Sequence, residues 1–243
     1  MTNKVAIVTG GSKGIGKAIA HSLAVNAKMY VVVVYSSNQI EADKTIAEIT
    51  KDGGSISSYK ADVADETAMS NIFDEVISKY GGIDIVVNAA GIMRLGSIDS
   101  FDLDDFDVMM RTNVRGTFIS SQLAARHVRP GGSIINFSTS VVKTALPNYG
   151  AYTATKGAVE ALTLILAREL RGKDVNVNTI APGPIATDLF LDGKDDETIQ
   201  RIASTNPKER IGTPEDIATV VLDLVGGPTW INGQTIYVNG GMA

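Results

Sequence analysis

Short apolar runs alternate along this chain with longer segments in which apolar residues recur at helical spacing. The first run, Val5–Thr9, is apolar or β-branched throughout, as in a strand buried on both faces of a parallel sheet. Further strands are predicted at 29–34, 56–63, 83–88, 133–137, 175–180 and 235–238. Helices are predicted from Lys17 after the glycine loop, at 41–52, in the segment that ends at Lys79, and at 103–128, 151–171 and 213–225. This alternation, without repeats or linkers, predicts one doubly wound α/β domain over residues 1–243.

A glycine-rich loop joins the first strand to the first helix. Gly10, Gly14 and Gly16 allow the backbone to turn sharply and to contact a ligand. The free N–H groups and the positive dipole end of the following helix favour a diphosphate. We therefore interpret the loop as a nucleotide site, with a plain tight turn as the alternative. Its spacing, Gly-x-x-x-Gly-x-Gly, differs from the commoner Gly-x-Gly-x-x-Gly.

The second strand runs into Tyr35, Ser36, Ser37 and Asn38. In dinucleotide-binding units an acidic residue at this point binds the ribose 2′-hydroxyl of NAD, and no acid stands here. Hydroxyl and amide groups accept a 2′-phosphate without repulsion, and Lys13 in the glycine loop can supply the counter-charge. The pattern favours NADP(H) over NAD(H), with a solvated loop lysine as the alternative for Lys13.

Two further strand ends carry candidate ligand contacts. The third predicted strand ends in Asp62 and Val63, where the carboxylate either accepts a hydrogen bond from an adenine amino group or caps the next helix. The fourth ends in Asn88 and is followed by Ala89–Gly91, small residues that allow a ligand to approach the backbone closely. Close packing within the protein is the alternative explanation for these small residues.

Polar residues also interrupt the apolar pattern in the second half of the chain. Asn113 lies in the middle of the predicted helix 103–128, where asparagine tends to hydrogen-bond the backbone or bend the helix. Ser138, Thr139 and Ser140 follow the fifth strand, at the edge where parallel sheets bind ligands. Hydroxyls also cap helices and turns, so this cluster alone does not separate binding from capping.

Tyr152 and Lys156 stand four residues apart at the start of the helix 151–171, on one face of that helix. An ammonium near a phenol favours the phenolate and lowers the tyrosine pKa from about 10. Such a tyrosine can exchange a proton with an alcohol or carbonyl near neutral pH without histidine. The alternative for this pair alone is a tyrosine packed on the helix beside a solvated lysine.

A stiff turn from Pro182 to Thr187 follows the sixth strand, and the polar segment 188–212 comes next. An insertion of this length in a compact domain commonly covers a site. We therefore expect the segment 188–212 to cover the substrate.

Composition narrows the possible partners. The net charge is −5 at pH 7 and no lysine or arginine cluster is present, which argues against nucleic acid or an anionic membrane. The chain has no cysteine, and His21 and His127 are its two histidines, so we expect no disulfide, histidine triad or metal site. No apolar run approaches the ~18 residues of a membrane span, and Lys4 leads directly into the first strand. We therefore expect a cytoplasmic protein that binds small molecules.

In this order and at these spacings, the motifs resemble the short-chain dehydrogenases/reductases along nearly the whole chain. The resemblance rests on Thr9-Gly10-x-x-x-Gly14-x-Gly16, Asn88-Ala89-Ala90-Gly91, Asn113, Tyr152-x-x-x-Lys156 and Pro182-Gly183. It implies a Rossmann-type parallel sheet of seven strands in the order 3-2-1-4-5-6-7, with three helices on each face. It also implies an NAD(P) cofactor, a catalytic tetrad of serine, tyrosine, lysine and asparagine, and a homotetramer or dimer.

The resemblance gives the matched residues expected roles. Tyr152 would protonate the carbonyl oxygen as hydride arrives from the nicotinamide, and Lys156 would hold the nicotinamide ribose and lower the tyrosine pKa. Asn113 would position a water in a proton relay to Lys156. With the strand-end residues above, the expected cofactor contacts are Gly10, Ser12, Lys13, Gly14, Ile15, Gly16, Tyr35, Ser36, Ser37, Asn38, Asp62, Val63, Asn88, Ala89, Ala90, Gly91, Asn113, Tyr152, Lys156, Pro182, Gly183, Ile185 and Thr187.

Two positions depart from the family pattern. Thr139 stands where the family usually has its catalytic serine, so the hydroxyl is kept, and Ser138 or Ser140 could replace it if the loop is offset by one. Thr139 and Ser140 are the favoured candidates. Lys143 stands where glycine is common, and we expect it to intrude on the substrate entrance or to tune it.

The sequence thus predicts an NADPH-dependent carbonyl or keto reductase that interconverts a ketone and a secondary alcohol. A 3-oxoacyl-(acyl-carrier-protein) reductase is the alternative within the family, but its acidic carrier needs a basic docking patch. The segment 99–107 contains five aspartates, which favours small free ketones. A non-catalytic NADP-binding sensor is the alternative from another class, and it would be expected to lack Tyr152, Lys156 or Asn113, all of which are present.

Overall fold

The computed structural model describes residues 4–226 and 230–243; residues 1–3, on which part of the expectation about the chain start rests, lie outside this range. The strands are β1 (Val5–Thr9), β2 (Tyr30–Tyr35), β3 (Ser55–Lys60), β4 (Ile83–Asn88), β5 (Val128–Phe137), β6 (Val175–Pro182) and β7 (Thr235–Val238). The helices are α1 (Gly14–His21), α2 (Gln39–Lys51), α3 (Glu66–Tyr80), α4 (Leu103–Met109), α5 (Thr117–His127), α6 (Val141–Thr144), α7 (Gly150–Glu169), α8 (Asp188–Leu191), α9 (Asp196–Ala203) and α10 (Pro214–Gly226).

The strands within the described ranges form one parallel sheet in the order β3-β2-β1-β4-β5-β6-β7, which confirms the predicted fold. The register pairs Thr9 with Asn88, Asn88 with Asn136, and Asn136 with Thr179. Because the four central strands are in step, their carboxyl ends meet at one edge of the sheet.

The apolar strands are buried on both faces because successive side chains point to opposite sides. Val5 and Ile7 pack with α3, α5 and α7 on one face. Ala6 and Val8 pack with α1, α2 and α10 on the other. The strands read as continuous apolar runs for this reason, and the sheet has helices on both sides.

Three predicted elements differ from the structure by more than two residues. The third strand ends at Lys60, because the Asp62 carboxylate accepts the Ala64 N–H at 2.9 Å and turns the chain. The helix predicted at 103–128 is broken by a π-helical turn, Met110–Gly116, between α4 and α5. The fifth strand begins at Val128, five residues earlier than predicted, because Val128 pairs with Ile83 before a shift in the register. The Pro-Gly-Gly sequence that follows is typical of a turn, so the sequence pattern did not indicate this part of the strand.

The segment 188–212 contains the two short helices α8 and α9 rather than open loop. Within residues 4–226 and 230–243, no helix is both long enough and apolar enough to cross a membrane. The same ranges hold no group of three or more histidine, aspartate or glutamate side chains placed to bind a metal ion.

Candidate active site

The glycine loop lies at the carboxyl edge of the sheet with the backbone geometry that the sequence requires. Gly10 and Gly14 have φ angles of +67° and +54°, a region that side chains disfavour. A Cβ on Gly10 would lie 2.8 Å from the Cα of Ala90, so the loop after β1 packs directly on the loop after β4. Lys13 precedes α1 in an extended conformation without a side-chain cap, which leaves the first N–H groups of α1 free of a side-chain acceptor.

Ser12 of the glycine loop is held by a hydrogen bond from α2. Its side chain is buried, and its carbonyl accepts the Thr45 hydroxyl of α2 at 2.8 Å. Thr45 was not predicted as part of the site, because a threonine on the inner face of an amphipathic helix gives no sequence signal for this contact. The bond fixes the glycine loop relative to α2.

The end of β2 separates the predicted phosphate contacts into two groups. The Tyr35 hydroxyl donates to the Gln39 side chain, and the Asn38 side chain caps α2 by accepting the Glu41 N–H at 3.2 Å. Ser36 and Ser37 are exposed, as is Lys13. These exposed serines and the lysine are therefore the groups available to an anion here, whereas the Tyr35 hydroxyl and the Asn38 oxygen already have partners.

Asp62 does not cap the next helix, which excludes one of the two explanations for it. Asp65 is the cap of α3. Asp62 instead accepts the Ala64 N–H and forms an ion pair with Arg111 at 2.8 Å. Burial acts to raise the pKa of the Asp62 carboxyl, but these two donors outweigh it, and the pKa lies below its usual value. About half of the Asp62 side chain is exposed, so its oxygens remain accessible.

Val63 and Asn88 are placed inside the protein. Val63 is buried, and a Cβ on Gly116 would come within 2.5 Å of its side chain, so it packs tightly against the start of α5. The Asn88 amide donates to Asn136 at 2.8 Å and to Ser121 at 3.2 Å. The Val63 side chain and the Asn88 Nδ2 are therefore used within the protein, and the cofactor contacts expected at these two residues stay predictions.

Asn113 lies in the π-helical turn and is fully buried. Its Oδ1 accepts the N–H of Ile92 and its Nδ2 donates to the Ile92 carbonyl, each at 2.9 Å. Its Nδ2 also donates to Thr155 of α7 at 3.1 Å. The regular helix predicted through Asn113 is thus interrupted there, and the side chain joins the loop after β4 to the helix that carries Tyr152.

The three hydroxyls after β5 have different hydrogen-bond partners. Ser138 donates to Glu160 of α7 at 2.6 Å. Ser140 donates to the Ala181 carbonyl at 3.2 Å and accepts from Asn239 at 3.0 Å. The Thr139 oxygen accepts the Val141 N–H at 3.3 Å, and in the described part of the chain its proton has no acceptor. Thr139 is therefore the hydroxyl of the three that is free to donate.

Tyr152 and Lys156 come together on the first turns of α7, both buried, with the Lys156 Nζ 5.8 Å from the centre of the Tyr152 ring. The Lys156 Nζ donates to the Phe137 carbonyl at 2.9 Å. A Cβ on Gly91 would lie 3.4 Å from this Nζ and from the Asn113 Oδ1, so Gly91 lies directly beside both groups. The sequence signals for Gly91, Asn113 and Lys156 therefore converge on one point.

The predicted direction of the Tyr152 pKa was wrong for the protein by itself. Burial, with a further contribution from the Tyr149 phenol, raises the Tyr152 pKa above its ordinary value. Burial also lowers the pKa of Lys156 to about 8. Loss of water disfavours both charged forms, and the Lys156 ammonium points to a carbonyl rather than to the phenol oxygen. Tyr152 is thus held as a neutral phenol, the form that donates a proton.

These groups open onto a cavity of about 420 Å³ at the carboxyl edge. Thr139, Tyr152 and Lys156 line it. Members of the predicted cofactor set line it as well: Ile15, Ala89, Gly91, Pro182, Gly183 and Thr187. The cavity therefore joins the candidate catalytic groups to the end of the nucleotide loop.

Several cavity residues were missed by the sequence analysis. Leu189 and Phe190 of α8 and Ile202 of α9 line the cavity from the segment 188–212. Met242, which follows β7, also lines it. The apolar pair Leu189-Phe190 within a polar segment was the available signal, whereas a single methionine far along the chain gave none.

Lys143 does not reach the substrate entrance, which corrects the expectation for this position. Its side chain points to β7, where the Nζ lies 5.1 Å from the centre of the Tyr237 ring. Its neighbours Val141 and Thr144 line the cavity instead. The cation–π contact of Lys143 with Tyr237 therefore links α6 to β7 at the edge of the sheet.

A parallel Rossmann sheet with a glycine loop and a paired tyrosine and lysine at its carboxyl edge defines a nicotinamide-dependent oxidoreductase. The chain belongs to the short-chain dehydrogenase/reductase family, since a family model described as Enoyl-(Acyl carrier protein) reductase matches residues 10–243.

Known relatives and solved structures are similar to this chain along almost its full length. A short-chain type dehydrogenase/reductase of Picea abies is 41% identical over 249 residues, which cover 98% of this chain and 92% of the relative. NADPH-dependent aldehyde reductase 2, chloroplastic, of Arabidopsis thaliana is 40% identical over 99% of this chain and 94% of its own. A short chain dehydrogenase from Burkholderia cenocepacia J2315, solved in complex with NADP, is 36% identical with a TM-score of 0.90, covering 98% of this chain and 97% of that one.

Proposed function

We propose that this protein is an NADP(H)-dependent carbonyl reductase that converts a ketone or aldehyde to the alcohol, or the reverse. The observation that carries the proposal is the meeting of Thr139, Tyr152 and Lys156 on one cavity at the end of the glycine loop. The Arabidopsis relative named as an NADPH-dependent aldehyde reductase supports this reaction class.

The groups that this site offers to a ligand fit a dinucleotide. The start of α1 lacks a side-chain cap, so its N–H groups are available to a diphosphate. Gly91 lies beside Asn113 and Lys156 and presents no side chain there. Asp62 is partly exposed and ionised, as an acceptor for an adenine amino group should be.

The preference for NADP(H) is proposed to come from Lys13, Ser36 and Ser37. All three are exposed at the glycine loop and the end of β2, and no carboxylate stands among residues 36–38 to repel a 2′-phosphate. Replacing Lys13 with alanine should raise the KM for NADPH about tenfold and leave the KM for NADH unchanged. An equal effect on both cofactors would contradict this assignment.

The chain's own groups perform the proton chemistry. Bound NADPH supplies the hydride. Tyr152, neutral because it is buried, donates its proton to the carbonyl oxygen, and the free Thr139 proton donates a second hydrogen bond that holds this oxygen. Lys156 stabilises the phenolate that Tyr152 becomes, and Asn113 fixes α7 against the loop after β4. The water in a relay from Asn113 to Lys156 stays a prediction.

The test is Tyr152→Phe, measured with NADPH and with NADH on a panel that includes a β-keto ester, an aryl ketone and an aldehyde. Turnover should fall by about a thousandfold or more while NADPH affinity, followed by fluorescence, stays within twofold of the parent protein. Unchanged turnover would refute the mechanism. Tight NADPH binding without turnover of any compound by the parent protein would favour a sensor.

The alternative of an acyl-carrier-protein substrate has less support from the surface near the cavity. The Gly96 N–H donates to the Asn148 carbonyl, so the segment leading to α4 borders the loop before α7. Asp99, Asp102 and Asp104 on this rim are exposed and would repel an acidic carrier. Faster turnover of an acetoacetyl carrier protein than of the free ketones would reverse this preference.

A homotetramer or dimer and a cytoplasmic location stay predictions. Leu164 and Ile165 of α7 are 41% and 52% exposed, and Trp230 before β7 is 98% exposed, which supports pairing through this side of the molecule. Light scattering tests the oligomer, and microscopy of a tagged chain tests the location.

A further inference from the structure

The cavity beyond the candidate catalytic groups has apolar walls. Met93, Leu146 and Tyr149 form one side. Met93 and Tyr149 pack against Tyr152 and the buried Met109, so this side is continuous with the core. A substrate arm placed here exchanges water for hydrocarbon and ring surface.

The other side is formed by Leu189, Phe190, Ile202 and Met242. Phe190 is held by Lys194, whose Nζ donates to the Phe190 carbonyl at 2.5 Å and lies 4.7 Å from the centre of its ring. Phe190 lines the cavity and Lys194 does not, so the surface that this pair presents to an occupant is apolar.

Charge on the cavity wall is confined to one catalytic residue. Among the residues that the structure describes, Lys156 alone contributes a charged side chain to the lining, and its ammonium donates to the Phe137 carbonyl. Away from Lys156, a carboxylate or phosphate on the substrate arm would lose its hydration without gaining a cation. The cavity therefore disfavours charged substrates.

The hydroxyls of the lining offer little to a polyol. Ser138 donates to the Glu160 carboxylate, and Ser140 and Thr205 donate to backbone carbonyls. The Thr144 oxygen is shielded from the solvent that enters the cavity, so Thr144 meets an occupant through its carbon atoms. Thr187 also donates to a backbone carbonyl, so apart from Thr139, Tyr149 and Tyr152 the described lining offers a sugar few hydroxyl donors.

Met242 has a fixed position in this wall. The Asn239 Oδ1 accepts the N–H groups of Gly241 and Met242 at 3.0 and 3.2 Å. The Asn239 Nδ2 donates to Ser140, the neighbour of Thr139. One side chain thus ties the wall formed by Met242 to the loop that carries the candidate catalytic hydroxyl.

Resting on the proposed function, we infer that the substrate is an uncharged, largely apolar carbonyl compound, with one apolar arm packed against the wall formed by Phe190, Ile202 and Met242. Met242 determines specificity within this wall because its backbone is fixed relative to Thr139. Carboxylated and polyhydroxylated carbonyl compounds are discriminated against by the absence of partners.

The test compares pairs of similar shape that differ in charge, 4-methylacetophenone with 4-acetylbenzoate and 4-methylbenzaldehyde with 4-formylbenzoate, using glucose as the polyol. The neutral member of each pair should have a kcat/KM at least about tenfold higher, and glucose should be turned over more slowly still. Met242→Lys places a cation in the wall and should reduce the preference for the neutral member by about tenfold.

Two variants separate the charge effect from general damage. Met242→Leu keeps the wall apolar and should keep the neutral preference. Ser55→Lys adds the same charge at the exposed start of β3, at the opposite edge of the sheet, and should leave the preference unchanged.

The outcomes distinguish the two proposals. If the carboxylates or glucose are reduced as well as the neutral compounds, or if Met242→Lys leaves the preference intact, the substrate inference is overturned while the reductase function stands. If no carbonyl compound is reduced although NADPH binds, the proposed function is refuted and the inference falls with it.

Discussion

The buried hydroxyl of Thr163 joins α7, which carries Tyr152 and Lys156, to the two strands beneath it. It accepts the Asn136 amide of β5 at 2.9 Å and the Thr179 hydroxyl of β6 at 2.7 Å. Its own proton goes to the Val159 carbonyl within the helix at 2.9 Å. Thr163→Val keeps the shape of the side chain and removes the acceptor that both strands use.

The loss follows from what the substitution leaves unpaired. Asn136, Thr163 and Thr179 are each no more than 1% exposed, so water cannot replace the missing partner. The Asn136 amide is fixed by its other bonds, whereas the Thr179 hydroxyl can rotate. The Asn136 amide would be left without an acceptor and the Thr179 hydroxyl would have a poorer one, which should lower the free energy of unfolding by about 2–4 kcal/mol. This is a large part of the ~5–15 kcal/mol that a typical domain has.

Urea unfolding followed by circular dichroism, at one fixed protein concentration, measures this loss. Thr179→Val removes one donor and leaves the bond from Asn136 to Thr163, so it should cost only about 1 kcal/mol. The double variant should cost about 1 kcal/mol less than the sum of the two, because both remove the same bond. A Thr163→Val variant within about 0.5 kcal/mol of the parent protein would refute the argument.

Three further predictions concern the site and its supports. Because the Lys156 pKa is lowered to about 8 and the ammonium is the active form, kcat/KM for carbonyl reduction should fall as pH rises above this value; a flat profile to pH 10 would contradict it. In Gly16→Ala the new Cβ would press on a backbone carbonyl of the same loop, so NADPH affinity measured by titration should fall at least about tenfold. Gly157→Ala is the control, because a Cβ there has open space. It should leave NADPH affinity unchanged and stabilise α7 by about 0.5–1 kcal/mol. Arg210 and the Thr213 N–H lower the Asp216 pKa to about 2, so this carboxylate adds stability above its unfolded pKa, and that stability is lost as pH falls from about 4 to 2. Asp216→Asn should therefore reduce the loss of unfolding free energy over this pH range by about 1 kcal/mol. An unchanged pH dependence would exclude the pair of Asp216 and Arg210 as its cause.

The sequence by itself determined the features that depend on neighbours along the chain. The apolar strands, the glycine loop and the pair Tyr152 and Lys156 were predicted because strand burial, turn conformation and a four-residue helical step are local properties. Asn113 was identified as a candidate for the same reason, and it lies in the π-helical turn. Strand order followed from the resemblance, which these local motifs carried.

Only the tertiary structure decided which groups face the cavity. Thr139 is the remaining free donor of the three hydroxyls, since Ser138 donates to Glu160 and Ser140 donates to the Ala181 carbonyl, both distant in sequence. The Tyr152 pKa is raised rather than lowered because burial removes water from the phenol. Met242 reaches the cavity only because β7 ends beside β6. Spacing along a chain records none of these contacts, because desolvation and hydrogen bonding depend on which distant segments the folded sheet brings together.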